Sequence, residues 1–209
     1  MKKTKLETGS ILQIPLPKDL GFAYAKYIDL SKINSSISFP DMIRVFNYRT
    51  ENENYDLSLM KIHDYIIAPK LVSGLPPTIR KGFWKIIGKG ELIDQDMDIP
   101  HFSRNEDWSE VDPDKQDKDK WYYCVDADSS KKIKSVFENV KHLTLLSAIG
   151  SGVLETEIAM AFLMKEGKNV EKYFELDEFY ERMAFKRLKE SLPYYELSVE
   201  VRDKAMGTG

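Results

Sequence analysis

The sequence predicts an α+β protein in which a small antiparallel β-barrel or meander is followed by a helical unit of about three helices. Short segments of alternating apolar and polar residues occupy the first hundred positions, an acidic stretch follows, and the remainder carries apolar residues at helical spacing. A chain of 209 residues is long enough to bury a core of its own. We therefore expect a β domain over 1–103, an acidic loop or linker over 104–120, and a helical region over 121–209, packed on or beside the β domain.

The N-terminal part reads as strands separated by turns. Segments 10–16 and 21–30 flank a connection of four residues, which is the spacing of a β-hairpin. A third strand is predicted over 42–50, where side chains of the two kinds alternate. Prolines at 69, 76 and 77 limit any strand between 64 and 77 to a short or edge piece.

A tryptophan among aliphatic residues marks the segment KGFWKIIGKGELI at 81–93. Its alternation is that of a strand buried on one side and partly on the other. This accounts for Trp84 without a catalytic pocket, and we interpret the segment as scaffold.

The strongest charge feature is the stretch 94–119, which holds ten acidic and three basic residues, a net charge of −7 in a chain whose total is −3. With interrupting prolines and few aliphatic residues, it predicts a long surface loop. Phosphate contacts need clustered basic residues, so the stretch argues against nucleic acid there and favours a basic partner. At protein interfaces, tryptophan side chains supply binding energy and carboxylates attract an oppositely charged partner. The candidate partner contacts are therefore Trp108, Asp112, Asp114 and Asp117. The alternative is a solvated connector whose tryptophans, Trp108 and Trp121, fold back on the core.

Three helices are predicted after the acidic stretch. The first is expected over 129–149, because residues of N-cap type stand just before an apolar stripe. The second covers 153–166 and the third 171–191, each with apolar residues at steps of three and four. The GSG at 150–152 lacks a P-loop lysine and is interpreted as a break between helices.

Metal and cofactor sites find no support in the sequence, and none is predicted. Asp94, Asp96 and Asp98 imitate the start of a calcium loop, but Ile99 and Asn105 stand where glycine and glutamate are needed. His63, His101 and His142 are far apart, without the spacing of a zinc site or a catalytic triad, and are expected to be ordinary polar residues.

The remaining ionisable and apolar features receive structural interpretations. The single cysteine, Cys124, is expected to be a buried structural thiol, which suits the reducing cytosol. Glu155 and Glu157 diverge on a helix, so we assign them to solubility. Segment 143–154 is too short to cross a bilayer, and the first ten residues lack the apolar region of a signal peptide. No membrane contact and a cytoplasmic location are therefore expected.

Several residues of the N-terminal half form a recognisable pattern: Gly9, Pro15, Gly21, Tyr24, Gly82, Trp84, Gly88 and Pro100. Over about residues 9–103 this pattern resembles the Immunity protein 26 family of bacterial polymorphic toxin systems. The chain departs from it at Ala25, where a second glycine is expected, and the helical half lies outside it. The resemblance implies a cytoplasmic immunity protein that binds and neutralises a cognate protein toxin, one with a basic surface if the toxin is a nuclease.

Two other classes of function stay open. One is an enzyme whose acidic groups assemble only in three dimensions, which a convergent carboxylate or histidine cluster in a cleft would favour. The other is a non-catalytic adaptor, which the absence of a neighbouring toxin gene would favour. The sequence does not address the oligomeric state.

Overall fold

The structure, a computed structural model, describes residues 5–35, 37–61, 63–107, 110 and 112–207. It confirms the α+β class, with the main sheet first and the longer helices after it. The strands are β1 (Ser10–Pro15), β2 (Phe22–Asp29), β3 (Asp41–Thr50), β4 (Lys70–Ser73), β5 (Lys85–Lys89), β6 (Phe102–Asn105), β7 (Trp121–Cys124), β8 (Lys132–Ser135) and β9 (Ile149–Gly150). The α-helices are α1 (Leu75–Arg80), α2 (Asp94–Met97), α3 (Phe137–Val140), α4 (Ser151–Lys165), α5 (Phe179–Glu190) and α6 (Val199–Arg202).

The main sheet is open, in the order β5-β1-β2-β3-β4-β9, and a second sheet has the order β6-β7-β8. All neighbours pair antiparallel except β4 and β9, which are parallel. The meander is therefore confirmed, and the barrel alternative is wrong. The short β4 pairs with β9, the last strand of the sheet, and β9 leads directly into α4. The helix α4 packs on the sheet, and no further strand within the described ranges joins β9 to β5 to close a barrel.

The predicted hairpin of β1 and β2 is confirmed. Lys18 and Asp19 have φ angles of 59° and 54°, the left-handed pair that a tight hairpin turn requires. Gly21 follows with φ +84°, and a Cβ there would lie 2.0 Å from the carbonyl oxygen of Thr50 on β3. Only glycine fits that position, because both the backbone conformation and the space exclude a side chain.

The strand predicted within 81–93 is present as β5, but it lies at the edge of the sheet and covers only Lys85–Lys89. Trp84 stands just before it and is fully buried, whereas Phe83 is exposed. The indole nitrogen of Trp84 donates a 2.6 Å hydrogen bond to Glu155 of α4. Trp84 therefore joins the edge of the sheet to the helix and belongs to the scaffold.

The acidic stretch is not one surface loop, since α2 and β6 occupy much of residues 94–105. Asp96 is fully buried and accepts a 2.7 Å hydrogen bond from Lys26, while its second oxygen lies 3.7 Å from Nε of Arg44. Lys26 and Arg44 are directly opposed on β2 and β3. Two opposed cations repel, so a carboxylate between them is what makes their burial tolerable. Asp203, near the C-terminus, pairs with Arg44 at 2.9 Å and completes the cluster.

The helix predicted over 129–149 is wrong, because β8, α3 and β9 occupy these residues. Asp126 and Ala127 have φ angles of 56° and 52°, and Asp128 accepts a 2.8 Å hydrogen bond from the backbone of Ser130. Asp126 and Asp128, which are of N-cap type, therefore lie in the turn of the β7–β8 hairpin. The same side chains cap helices and form turns, so their presence did not establish a helix.

The second predicted helix is confirmed by α4, and the third begins later than predicted, at Phe179, after a 3-10 turn at Val170–Lys172. One apolar cluster unites the main sheet with both helices and includes Leu12, Ile14, Val45, Leu154, Ile158 and Ala184. A smaller cluster, around Tyr24, Phe46, Tyr65 and Tyr194, includes residues from the C-terminal segment. The division of the chain into domains at 103 and 120 stays a prediction.

Candidate functional site

Most exposed carboxylates of the acidic stretch, among its described residues, lie in the connection between β6 and β7, residues 106–120. Its two ends are held together by a 2.8 Å hydrogen bond from the backbone nitrogen of Glu106 to the carbonyl oxygen of Lys120. A 3-10 turn at Pro113–Lys115 lies in the middle and packs against α5. We call residues 106–120 the acidic connection.

Two of the predicted partner contacts are engaged within the molecule. Lys186 of α5 binds Asp112 at 3.2 Å and also binds Asp114. Asp112 additionally caps the 3-10 turn by accepting a hydrogen bond from the backbone of Asp114. The hydrogen bond from Lys186 lowers the pKa of the Asp112 carboxyl, and the hydrogen bond to Asp114 raises the pKa of the Lys186 ammonium group. Lys186 therefore fastens the acidic connection to α5.

The other predicted contacts have different surroundings. The side chain of Asp117 is half exposed, lies 3.5 Å from Lys120 and accepts a hydrogen bond from the backbone of Asp119. Trp108 lies outside the described residues. Trp121 is 4% exposed and packs against Phe137 at a ring distance of 5.1 Å, so this tryptophan does fold back on the core.

A cleft of about 510 Å³ opens beside the acidic connection. Pro113 and Gln116 of the connection line it, and so does Tyr180 of α5, which is 66% exposed. Most of its wall is apolar and comes from both sheets and both long helices, including Ile66, Phe137, Leu145, Val153, Met164 and Leu188. Sequence reasoning missed this cleft, because its lining residues are scattered from position 66 to position 195.

Five charged side chains line the cleft, three cationic and two acidic. Lys70 and Glu157 form an ion pair at 2.5 Å. Lys141 binds Glu138 at 2.6 Å, and the other acidic member, Glu190, lies 3.4 Å from Lys118. The fifth side chain, Arg187 of α5, has no hydrogen bond or ion pair among the described residues.

The assignment of Glu155 and Glu157 to solubility is wrong. Glu155 accepts the indole hydrogen bond of Trp84, and burial raises the pKa of its carboxyl while that hydrogen bond opposes the shift. Glu157 is 7% exposed and neutralises Lys70. Both carboxylates thus stabilise the contact between α4 and the sheet.

The three histidines lie apart and bind different partners. His142 donates through Nε2 to the carbonyl oxygen of Lys204 at 2.7 Å, and Nδ1 of His101 accepts a 3.1 Å hydrogen bond from the backbone of Ala205. Burial lowers the pKa of both rings. His63 lies 2.7 Å from Gln95. Across the described part of the chain, no three His, Cys, Asp or Glu side chains are grouped so that they could hold a metal ion.

The single cysteine is buried, and burial raises the pKa of the Cys124 thiol. The group therefore stays protonated and unreactive near neutral pH, as expected for a structural thiol. None of the helices in the described ranges has both the length and the apolar character to span a bilayer.

The chain is thus an α+β protein with an open main sheet, and its two candidate binding features are the acidic connection and the neighbouring cleft. A family model described as Immunity protein 26 matches residues 7–114, just over half of the 209 residues. The chain belongs to the Immunity protein 26 family. The match covers the main sheet up to β5, then α2, β6 and most of the acidic connection. No curated protein and no solved structure matches the chain.

The residues that carried the family resemblance lie mainly in and beside the main sheet. Gly9 and Gly21 take left-handed conformations at the starts of β1 and β2, and Gly82 does so before β5. Tyr24 is fully buried and its hydroxyl lies 2.6 Å from that of Thr50. The remaining positions are Pro15 at the end of β1, Trp84, Gly88 in β5, and Pro100 before β6.

Proposed function

We propose that this protein neutralises a cognate bacterial protein toxin by binding it, without catalysis, in the cytoplasm of the cell that makes it. The observation that carries this proposal is the match of the Immunity protein 26 family model over residues 7–114. Immunity proteins of this kind act on a protein partner, so the relevant chemistry is that of an interface. A stable interface buries roughly 1,600 Å² of total surface.

The acidic connection is the surface we propose for docking. Its exposed carboxylates include Asp114, Asp117 and Asp119, and residues 106–120 together hold seven acidic and three basic residues, a net charge of −4. Charges of one sign attract an oppositely charged partner over a Debye length of about 8 Å at physiological ionic strength. A basic toxin surface, such as that of a nuclease that binds phosphates, is complementary to it.

Exposed aromatic side chains are available on α5, the helix to which the acidic connection is bound. Phe179 and Tyr180 begin α5, and their side chains are 42% and 66% exposed. Exposed aromatic side chains of this kind supply much of the binding energy at protein interfaces. We propose that the toxin covers both the acidic connection and the start of α5, with Trp108 as a further contact.

The test is a charge reversal that spares the ion pairs between the acidic connection and Lys186 of α5. Reversing Asp112 or Asp114 would also detach the acidic connection from Lys186, so we choose the double variant Asp117→Lys/Asp119→Lys. The matched control is Asp94→Lys/Asp98→Lys, which makes the same charge change at exposed positions outside the connection. The partner is the toxin encoded next to this protein's gene.

We expect the Asp117→Lys/Asp119→Lys variant to associate with the toxin at least about tenfold more slowly at low salt, with a smaller difference at high salt, because steering is lost. The control should stay within about twofold of the unchanged protein on the same scale. Equal association rates for both variants would reject the acidic connection as the docking surface. If the unchanged protein neither binds the toxin nor protects cells that express it, the immunity function itself is rejected.

A further inference from the structure

The cleft beside the acidic connection has the size and lining of a site for a small molecule. Its volume of about 510 Å³ falls within the range of about 300–1,000 Å³ that such sites occupy. Ile66, Val153 and Met164 contribute to a wall that is mainly apolar. A few polar groups on an apolar wall are the usual means by which a site orients its ligand.

Arg187 is the polar group of this cleft that lacks a partner within the described ranges. Its side chain is exposed to solvent, yet it stands on the wall of a concave site, and the surrounding protein lowers the pKa of its guanidinium group by desolvation, with Glu157 opposing the shift. Glu157 is already bound to Lys70 at 2.5 Å. The other cation of the cleft, Lys141, is bound to Glu138. One positive charge is therefore left over, on a residue that binds carboxylates and sulfonates through two parallel hydrogen bonds.

We propose that the cleft binds a small apolar organic acid, whose carboxylate or sulfonate pairs with Arg187 while its apolar body lies against the wall. The charge around the cleft favours a small molecule over a segment of the toxin. A segment with several acidic residues would bring several negative charges past the carboxylates of the acidic connection, and a basic segment would bring its positive charge to Arg187. A small organic acid needs only one anionic group and fits within the cleft.

The experiment compares two fluorescent probes that share an apolar body. The anionic probe is 1-anilinonaphthalene-8-sulfonate, and the neutral probe is N-phenyl-1-naphthylamine, which lacks the sulfonate. Each is titrated into the full chain, into Arg187→Met, which keeps the length of the side chain but removes its charge, and into Lys189→Met. Lys189 lies on the same helix but does not line the cleft, so its variant controls for the loss of one positive charge.

We expect the unchanged protein to bind one molecule of the anionic probe. Arg187→Met should weaken that binding by about tenfold, equivalent to about 1.4 kcal/mol, while Lys189→Met leaves it unchanged. The neutral probe should bind both variants and the unchanged protein equally. Circular dichroism and the urea midpoint verify that each variant is folded.

Three outcomes would overturn the proposal. The anionic probe does not bind the unchanged protein, or it binds Arg187→Met as tightly as the unchanged protein, or both point variants weaken it equally. None of these measurements uses the toxin, so they stand apart from the immunity function. Toxin binding that persists in Arg187→Met would leave the docking proposal intact whatever the probes report.

Discussion

Replacement of Asp96 by asparagine removes a carboxylate that lies between two buried cations while keeping almost the same shape. Asp96 accepts hydrogen bonds from Lys26 at 2.7 Å and from the backbone of Ile93 at 3.1 Å, and lies 3.7 Å from Arg44. In the variant, Lys26 keeps a 2.8 Å hydrogen bond to the carbonyl oxygen of Glu91 but loses its counter-charge. Arg44 still pairs with Asp203.

The expected loss of unfolding free energy is about 3–5 kcal/mol, the cost of leaving a buried charge without its partner. This is large, because a domain of ordinary stability unfolds at about 5–15 kcal/mol. The loss of the counter-charge destabilises Lys26 most, because its side chain is 2% exposed and cannot be solvated instead. Replacing both members, as in Lys26→Met/Asp96→Leu, should restore part of the loss, because an apolar pair of similar volume needs no counter-charge.

Urea unfolding followed by circular dichroism measures the effect, with the free energy extrapolated to water and the slope m compared between variants. The matched control is Asp94→Asn in the same short helix. Asp94 is exposed, so this change should stay within about 0.5 kcal/mol of the unchanged protein. If Asp96→Asn also stays within about 0.5 kcal/mol, the buried ion cluster does not have the energetic role that we assign to it.

Two further predictions concern backbone conformation and pH. Gly21→Ala should cost about 2–5 kcal/mol in urea unfolding, because the new methyl group meets the carbonyl oxygen of Thr50 in a left-handed conformation. Gly82→Ala, with a similar φ but no atom within 4 Å of its Cβ, should cost only about 1–2 kcal/mol, and equal losses would contradict the steric argument. The pKa of His142 is lowered by burial, so the unfolded chain binds a proton first and stability should fall as the pH drops below about 6.5. His142→Gln should make this decline shallower by up to about 1.4 kcal/mol per pH unit on the acid side of about pH 6.5, and an unchanged slope would show that His142 does not titrate in this way.

Much of the secondary structure was predictable because it depends on neighbours in sequence. The alternation in 42–50 yields β3, and the spacing of apolar residues in 153–166 yields α4. The wrong helix prediction over 129–149 also has a local cause, because the turn of Asp128 and Ser130 uses the same residue types as a helix cap. What decides between the two is the neighbouring strand β7, with which β8 pairs.

The candidate site was only partly predictable. The net charge of the acidic connection is visible in the sequence, but the partner that holds Asp112 and Asp114 is Lys186, more than 70 positions away. Arg187 gives no sequence signal of a site, because its surroundings come from segments that are distant along the chain.

By itself, the sequence determined the α+β class, the hairpin of β1 and β2, and the family pattern of glycines, prolines and aromatic residues. Only the tertiary structure decided which acidic residues serve the interior. Asp96 and Glu155 each bind a buried partner and the buried Glu157 pairs with the partly exposed Lys70, whereas Asp117 faces water. The physical reason is that the role of a carboxylate depends on its distance in space from a cation or donor and on the exclusion of water between them, and neither quantity follows from separation along the chain.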